Sequence, residues 1–522
     1  MPRSHPASVR PAPRRIRVVL AILGAALMAG LAPALARSEE WGFVGARYQG
    51  MGGAGVAVVD DEHAAYWNPG ALAFTKSYGV AVPVGAQAAA TGSTLADIDR
   101  VARFLDGLAT GEFDQLLADA QAGNTLSSSQ LATAVGIAVR LPGLGESGEG
   151  LVGNVNASLL LRYGRFAVSG VGLAYFAADP VFDRDNLSFS SLNGANAADA
   201  LVDPTTAMDR FAPGSEPGLV ARLEALFVQA ASTSPNLQAE ELVFQAQQAG
   251  ANVDDPGVAD NILALANATI GSTAGTFDAN QSGAFVRGLA VEEIGFGYGH
   301  AFLGERVGIG GNVKYMVGTT FNRFVRYDDV NSGSDLISDI GDARRRETTQ
   351  TGSLDLGLLV KPWEWLRFGL TARNVTGPEF DLARDPAGPG GKSKIVLDPQ
   401  VRVGAALWIL PNWVLAIDAD LTTNESELLD GFESRFVSVG TEFKIPIWKI
   451  GLALRGGTYL NTAADELDEI ALTGGLGVHV FDFNLDVAVG GSPKTERVEA
   501  ANDRKIPSRL NFSAMLSFRH DF

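Results

Sequence analysis

Leu510-Asn511-Phe512-Ser513-Ala514-Met515-Leu516-Ser517-Phe518-Arg519-His520-Asp521-Phe522 closes the sequence, and its reading decides the fold. Alternate positions, Leu510, Phe512, Ala514, Leu516 and Phe518, are apolar, and the last residue is aromatic. A period of two belongs to a β-strand, whose successive side chains point to opposite faces. One face of this run is apolar enough to meet lipid.

The same rhythm recurs upstream from Val291 onward. Leu354, Leu356, Leu358 and Val360 alternate with Ser353, Asp355 and Gly357; Leu415, Ile417 and Ala419 alternate with Asp418 and Asp420; Leu485, Val487 and Val489 alternate with Asn484 and Asp486. A soluble sandwich would turn the apolar face inward and a transmembrane barrel would turn it to lipid, so periodicity alone does not choose. The connections do. Tight ones at Leu303-Gly304-Glu305-Arg306, Lys361-Pro362-Trp363, Leu410-Pro411-Asn412-Trp413, Ile445-Pro446-Ile447-Trp448 and Phe481-Asp482-Phe483 alternate with long polar ones such as 327–345, 381–393 and 491–508. Short periplasmic turns and long extracellular loops are the asymmetry of bacterial outer-membrane barrels. Trp363, Trp365, Trp408, Trp413 and Trp448 stand at or beside the short turns, where a membrane interface would hold them.

The expected fold is therefore all-β, a transmembrane antiparallel barrel of about 14 strands, with 16 as the alternative. Both termini would lie in the periplasm, which requires an even number. Two segments are doubtful strands: 77–89, because Pro83 cannot donate to a ladder, and 131–141.

Residues 1–36 read as a secretory signal peptide: Arg14, Arg15 and Arg17 precede an apolar stretch from Val18 to about Leu31, and Ala34-Leu35-Ala36 supplies small residues for cleavage. Removing it takes away five arginines and no acid, so the formal charge moves from −18 to −23. No basic stripe exists to neutralise phosphates, so no nucleic-acid partner is expected. The absence of cysteine removes thiolate metal sites and Cys nucleophiles together. No mature run is long and apolar enough for a spanning helix, which leaves closed β structure as the way into a membrane.

Two insertions, around 93–125 and 183–288, break the strand rhythm. Ile98, Val101 and Leu105 share a helical face; so do Leu219, Leu223, Leu226 and Phe227, and Val258, Ile262 and Leu265, while Ser234-Pro235 suits a helix start. These are expected to be helical extracellular loops that line a ligand entrance or serve only as shield and packing. A plug of residues 37–75 followed by a barrel of 76–522 completes the organisation.

The most specific local sequence runs Gly45-Ala46-Arg47-Tyr48-Gln49-Gly50-Met51-Gly52-Gly53-Ala54, continues through Asp60-Asp61, and ends Ala64-Ala65-Tyr66-Trp67-Asn68-Pro69-Gly70-Ala71-Leu72-Ala73. Its glycines permit close backbone packing and positive φ. It resembles the N-terminal segment of FadL-type outer-membrane transport proteins and of the PorV-like and TraF-like barrels, with Gly70 where that pattern usually has Ala. The resemblance implies a plugged 14-stranded barrel that passes hydrophobic small molecules such as fatty acids, with Gly50, Gly52, Gly53, Asn68 and Pro69 in the moving plug. The closing run also resembles the signal read by the barrel assembly machinery, with Phe518 and Phe522 as its aromatic positions and His520 as a departure. The insertion at 183–288 departs from the fatty-acid transporters.

Asp355, Arg373, Arg402, Asp418, Asp420, Glu442, Arg455 and Asp486 fall on polar strand faces and are expected to form an ionic network across the lumen. Asp60-Asp61-Glu62-His63 reads as a solvated acidic turn rather than a metal cluster, since neighbours on an extended stretch diverge. No H-E-x-x-H, phosphate-loop or G-x-S-x-G pattern occurs, and no enzyme activity, metal or cofactor is expected. Three functions follow: a transporter of hydrophobic compounds, an accessory barrel of a conjugation or secretion system without transport, and a barrel enzyme such as a lipase, which lacks a visible Ser-His constellation. Outer-membrane lipid and, during biogenesis, the assembly machinery are the expected partners.

Overall fold

The computed structural model describes residues 34–521 except 98, 100–114, 117, 120–121, 123, 141–144, 146, 184–185, 187–194, 211–216, 255, 271–279, 327–345, 386–391, 448–449, 465–469 and 499–503. Fourteen antiparallel strands close into one barrel. They are β1 (Ser77–Ala90), β2 (Leu151–Tyr163), β3 (Phe166–Val181), β4 (Gly283–Phe302), β5 (Val307–Arg326), β6 (Arg346–Trp363), β7 (Leu366–Arg373), β8 (Gln400–Leu410), β9 (Trp413–Asp420), β10 (Phe436–Ile447), β11 (Ile450–Asn461), β12 (Ile470–Val480), β13 (Phe483–Gly491) and β14 (Arg509–Asp521). Neighbours in sequence are neighbours in the wall, and β14 pairs with β1 from Ser77 opposite Asp521 to Ala89 opposite Arg509. Closure leaves no wall edge with unpaired backbone groups, the condition for entering lipid.

The doubtful strand at Pro83 is a full barrel member. Toward β14 it pairs without interruption, but toward β2 the ladder runs to Ala81 opposite Leu160 and resumes at Val84 opposite Ala157. The missing N–H of Pro83 opens the ladder without shifting its register. The other doubtful strand, around 131–141, is instead helical, because Leu131, Ala134 and Val135 bury one helical face.

Alternation along the strands sorts side chains cleanly. Val155, Leu159, Ile294, Phe296, Ile417, Leu476, Leu485 and Leu516 point outward and are exposed, whereas Asn154, Asn156, Asp355, Asp418 and Asp486 point inward and are buried. The strand ends joined by the short connections lie at one end of the barrel, and those joined by the long connections lie at the other. Aromatic side chains gather on the outer surface near the turns: Phe166 meets Tyr298 with ring centroids 4.9 Å apart, Phe483 meets Phe518 at 5.2 Å, and Trp363 stacks on Trp365 at 5.2 Å. Trp413 is also exposed there. Trp408 is not: it shares the inward face of Arg402, Gly404 and Ala406 and packs against the interior cluster. Trp448 and Phe522 lie outside the described residues.

Helices in the insertions form a cap on the long-loop end. Ser128–Arg140, Ala195–Leu201, Pro217–Gln229, Pro235–Gln248 and Pro256–Ile270 pack about Leu131, Leu201, Leu223, Phe227, Leu242, Ile262 and Leu265. No barrel side chain belongs to that cluster. Its neck is narrow: Ser282 Oγ accepts from Asp183 N at 3.0 Å, and Asn280 Nδ2 donates to Asp183 O at 2.9 Å. In the first insertion Thr94 begins a short helical stretch, and Ile98, Val101 and Leu105 lie outside the described residues.

The N-terminal segment threads the lumen. Ala34–Arg37 pairs in parallel with Thr422–Glu425 at the long-loop end. The chain then descends through helices Ala46–Gly50 and Ala64–Trp67 and the 3-10 turn Pro69–Phe74 to reach β1 at the short-turn end. The expectation that both termini share one end is thus corrected, since residues 34–40 sit among the long loops. This thread is the barrel's core: Trp41, Phe43, Tyr48, Met51, Trp67 and Leu72 are among the largest fully buried side chains.

Candidate functional site

The interface between plug and wall is built first from backbone contact. Gly52 and Gly53 hold φ of +66° and +84°, which L side chains rarely adopt, and a Cβ on Gly52 would stand 2.7 Å from Thr458 O. A Cβ on Gly50 would stand 3.1 Å from Gly475 Cα. The wall answers with glycines of its own: Gly308, Gly310 and Gly357 receive the Asn68-Pro69-Gly70 turn, and Gly440 and Gly457 receive Met51 and Gly52. Asn68 locks its turn, accepting from Gly70 N at 2.9 Å while its amide donates to Val56 O at 2.9 Å and to Leu358 O of β6 at 3.0 Å.

Charged contacts follow, and they place the eight lumen residues in separate groups, some of which take a partner from the plug. Glu442 accepts from Arg47 Nε at 3.0 Å and Nη2 at 2.9 Å, and from Arg455 Nε at 2.8 Å; Arg455 continues to Asp486 at 2.5 Å. Arg402 and Asp420 form a two-point pair at 2.6 and 3.1 Å, and Asp420 also accepts from Phe436 N at 2.9 Å. Asp418 accepts instead from the plug's Gly55 and Val56 N–H groups, both at 2.8 Å. Asp355 lies 3.0 Å from Lys314 Nζ, while Arg373 lies over the Tyr66 ring at 4.0 Å and 3.7 Å from Glu293. One continuous ladder across the lumen is therefore not what forms. Pairs within the wall hold most of these charges, and the plug adds Arg47 to Glu442, the Gly55 and Val56 N–H groups to Asp418 and the Tyr66 ring to Arg373.

The acidic turn is also not solvated. Asp61, Glu62 and His63 are buried: Asp61 meets Arg47 at 3.2 Å and His63 at 3.0 Å, and Glu62 meets Arg162 of β2 at 3.0 Å. Burial pushes the Asp61 carboxyl up, but the His63 ring and the Arg47 guanidinium outweigh it and hold it well below the usual carboxylate range. At the opposite end Glu39 accepts from Ser426 Oγ at 2.8 Å and from the N–H groups of Glu427 and Leu428 at 2.9 and 3.2 Å. Burial pushes its carboxyl up to about 7 against those hydrogen bonds. No cluster of three or more metal-ligating side chains occurs among the described residues.

The two ends of the lumen differ. At the long-loop end Leu289, Val291 and Met316 of the wall pack against Phe380, Ile395, Leu397 and Leu428 of the loops, an apolar seal above the plug. At the short-turn end a cavity of about 710 Å³ opens between Arg47, Asp60, Glu442, Lys444, Asp486 and Arg519.

These features define a class: a closed 14-stranded antiparallel barrel whose lumen is occupied by its own N-terminal segment. Residues 215–420 match the family model described as "F plasmid transfer operon, TraF, protein". The TraF-like side of the resemblance carried by Gly45 to Ala73 is thus met by a second stretch of the chain, one that runs from the helical cap to the end of β9. Among solved structures, the chain is similar to the Ralstonia pickettii toluene transporter TbuX (11% identity, 92% of this chain and 99% of that one, TM-score 0.40). It is similar to the P. putida toluene transporter TodX (12%, 93% and 99%, 0.39) and to a Pseudomonas aeruginosa FadL homologue (8%, 94% and 100%, 0.39). No curated protein matches the chain.

Proposed function

We propose that the protein is an outer-membrane barrel that admits small hydrophobic molecules and holds its lumen shut with a resident plug. The observation that supports this most is the contrast between the two mouths. An apolar seal made partly of loop side chains, Phe380, Ile395, Leu397 and Leu428, faces the long-loop end, which we assign to the cell exterior. Loops can part to take an apolar solute where a strand-built wall cannot. Below the seal the plug closes the passage, so transfer requires the plug to shift. Gly50, Gly52, Gly53, Asn68 and Pro69 form the surface along which it slides. Native purification in mild detergent followed by mass spectrometry tests this reading: a hydrophobic compound retained by the wild-type chain is expected, with several-fold less after Met316→Asp. Recovery of partner subunits without any lipid or small molecule contradicts it.

That contradicting outcome is the second reading, an accessory barrel of a conjugation or secretion apparatus. It is favoured by the family match over residues 215–420.

A further inference from the structure

Between plug and wall at the short-turn end lies a smaller cavity of about 140 Å³, bounded by Val59, Asp60, Phe74, Lys361, Arg367 and Arg519. Three of its cations come from separate strands of the wall, Lys361 on β6, Arg367 on β7 and Arg519 on β14, and Lys76, just before β1, is the fourth; the plug supplies the lid. Asp60 is the one acid on its lining, and that acid is already engaged at 2.7 Å by Arg47. The Nε and Nη1 atoms of Arg367 are buried and have no hydrogen-bond partner, although its Cζ lies over the Trp408 ring, 4.0 Å from the centroid. Lys361 Nζ sits 3.7 Å from the Phe74 ring centroid. Arg519 Nε is buried and lies 3.4 Å from the exposed carboxylate of Asp521.

A chain of formal charge −18 thus collects four cations around one carboxylate on the cavity lining, with the Arg367 donors left unsatisfied. Buried donors without acceptors are costly, and a guanidinium fork matches the geometry of a carboxylate or phosphate oxygen pair. We propose that this cavity binds a small oxyanion, a phosphate or carboxylate group, through Arg367, Lys361 and Arg519. Val59 and Phe74 close it from the plug side, so the anion is held only while the plug is seated, and its binding stabilises the seated plug. Asp60 competes with it, being a negative charge beside the same cations.

The test is calorimetric titration of the full-length detergent-solubilised protein with inorganic phosphate, and separately with acetate, at fixed KCl concentration. One saturable site is expected for at least one of the two; phosphate alone marks a free oxyanion, and acetate binding marks a carboxylate. Arg367→Gln is expected to weaken binding roughly 10- to 100-fold, the size of a lost charged hydrogen bond. Asp60→Asn is expected to tighten it, and Lys394→Gln, on the exposed hairpin, to leave it unchanged. Should Arg367→Gln lose the folded, heat-modifiable gel form, Arg519→Gln serves in its place. No saturable binding of either anion, or equal binding by the wild type and the folded Arg variant, overturns the proposal.

Discussion

Arg47 shows how much a single side chain does in this lumen. It ties the plug to β10 through Glu442 and reaches Asp60 and Asp61 with the remaining guanidinium donors. Removing one member of a buried pair leaves the other unpaired, at a cost of about 3–5 kcal/mol. Arg47→Gln is therefore expected to loosen the plug, read as faster proteolysis within residues 41–73 of the folded barrel. Adding Asp61→Asn should recover part of the loss, because Asp61 has lost its guanidinium partner while Glu442 keeps Arg455 at 2.8 Å; no recovery would separate Arg47 and Asp61 energetically. Glu39 gives a pH dependence with a definite sign. Its carboxyl titrates at an ordinary 4.5 when released and near 7 when docked, so the docked state binds the extra proton. That contribution to docking is fully present below 4.5 and is lost as pH rises toward 7. Protease release of the mature N-terminal segment around Glu39, residues 37–40, should accordingly rise between pH 5 and pH 8 in the wild type, and Glu39→Gln should flatten that rise. The sequence put Asp355, Asp418, Glu442 and Asp486 on inward faces because strand alternation is local. It did not find the partners of Glu442 and Asp418, because Arg47 and the Gly55 and Val56 N–H groups come from a segment hundreds of residues away.

At the scale of elements, plug and helical cap differ in how they are attached. The plug shares its core with the wall, Trp41, Tyr48 and Trp67 packing beside Leu160, Leu359, Phe436 and Tyr459. The cap keeps a core of its own. Replacing residues 195–270 with a short flexible linker should thus leave the barrel's heat-modifiable gel mobility intact; its loss would mean that the cap helps hold the barrel. Deleting residues 41–73 should convert an electrically silent barrel into one that conducts ions in a planar bilayer, since polar and charged wall groups would then line open water. Legibility followed the same division. Ser234-Pro235 marked a helix start correctly, and the tight connections at 303–306, 410–413 and 481–483 marked hairpins, because both are short-range signals, whereas 361–363 and 445–447 close strands β6 and β10 beside their turns. The segment at 131–141 failed because a short apolar run fits a strand or a buried helix equally well, and only the neighbouring helices of the cap decide between them. Pro83 misled in the other direction: closure onto β14 outweighs one absent ladder bond.

For the molecule as a whole, the period-two runs with the even-number requirement anticipated a closed barrel of 14 or 16 strands, and the glycine-rich motif anticipated a plug. The path of that plug was not legible. Nothing in residues 34–40 announces a strand paired with Thr422–Glu425, because the pairing depends on where the barrel places its loops. Everything else rests on which side of the wall meets hydrocarbon. The sequence contains no cysteine, so single cysteines report position without background. Fluorophores attached at Ile417→Cys and Leu485→Cys, in bilayers containing brominated lipid, should be strongly quenched, whereas Ser438→Cys and Ser513→Cys should resist both the lipid quencher and water-soluble maleimide while the plug is in place. Equal labelling of all four by the water-soluble reagent, with no lipid quenching at Ile417 or Leu485, would contradict the account.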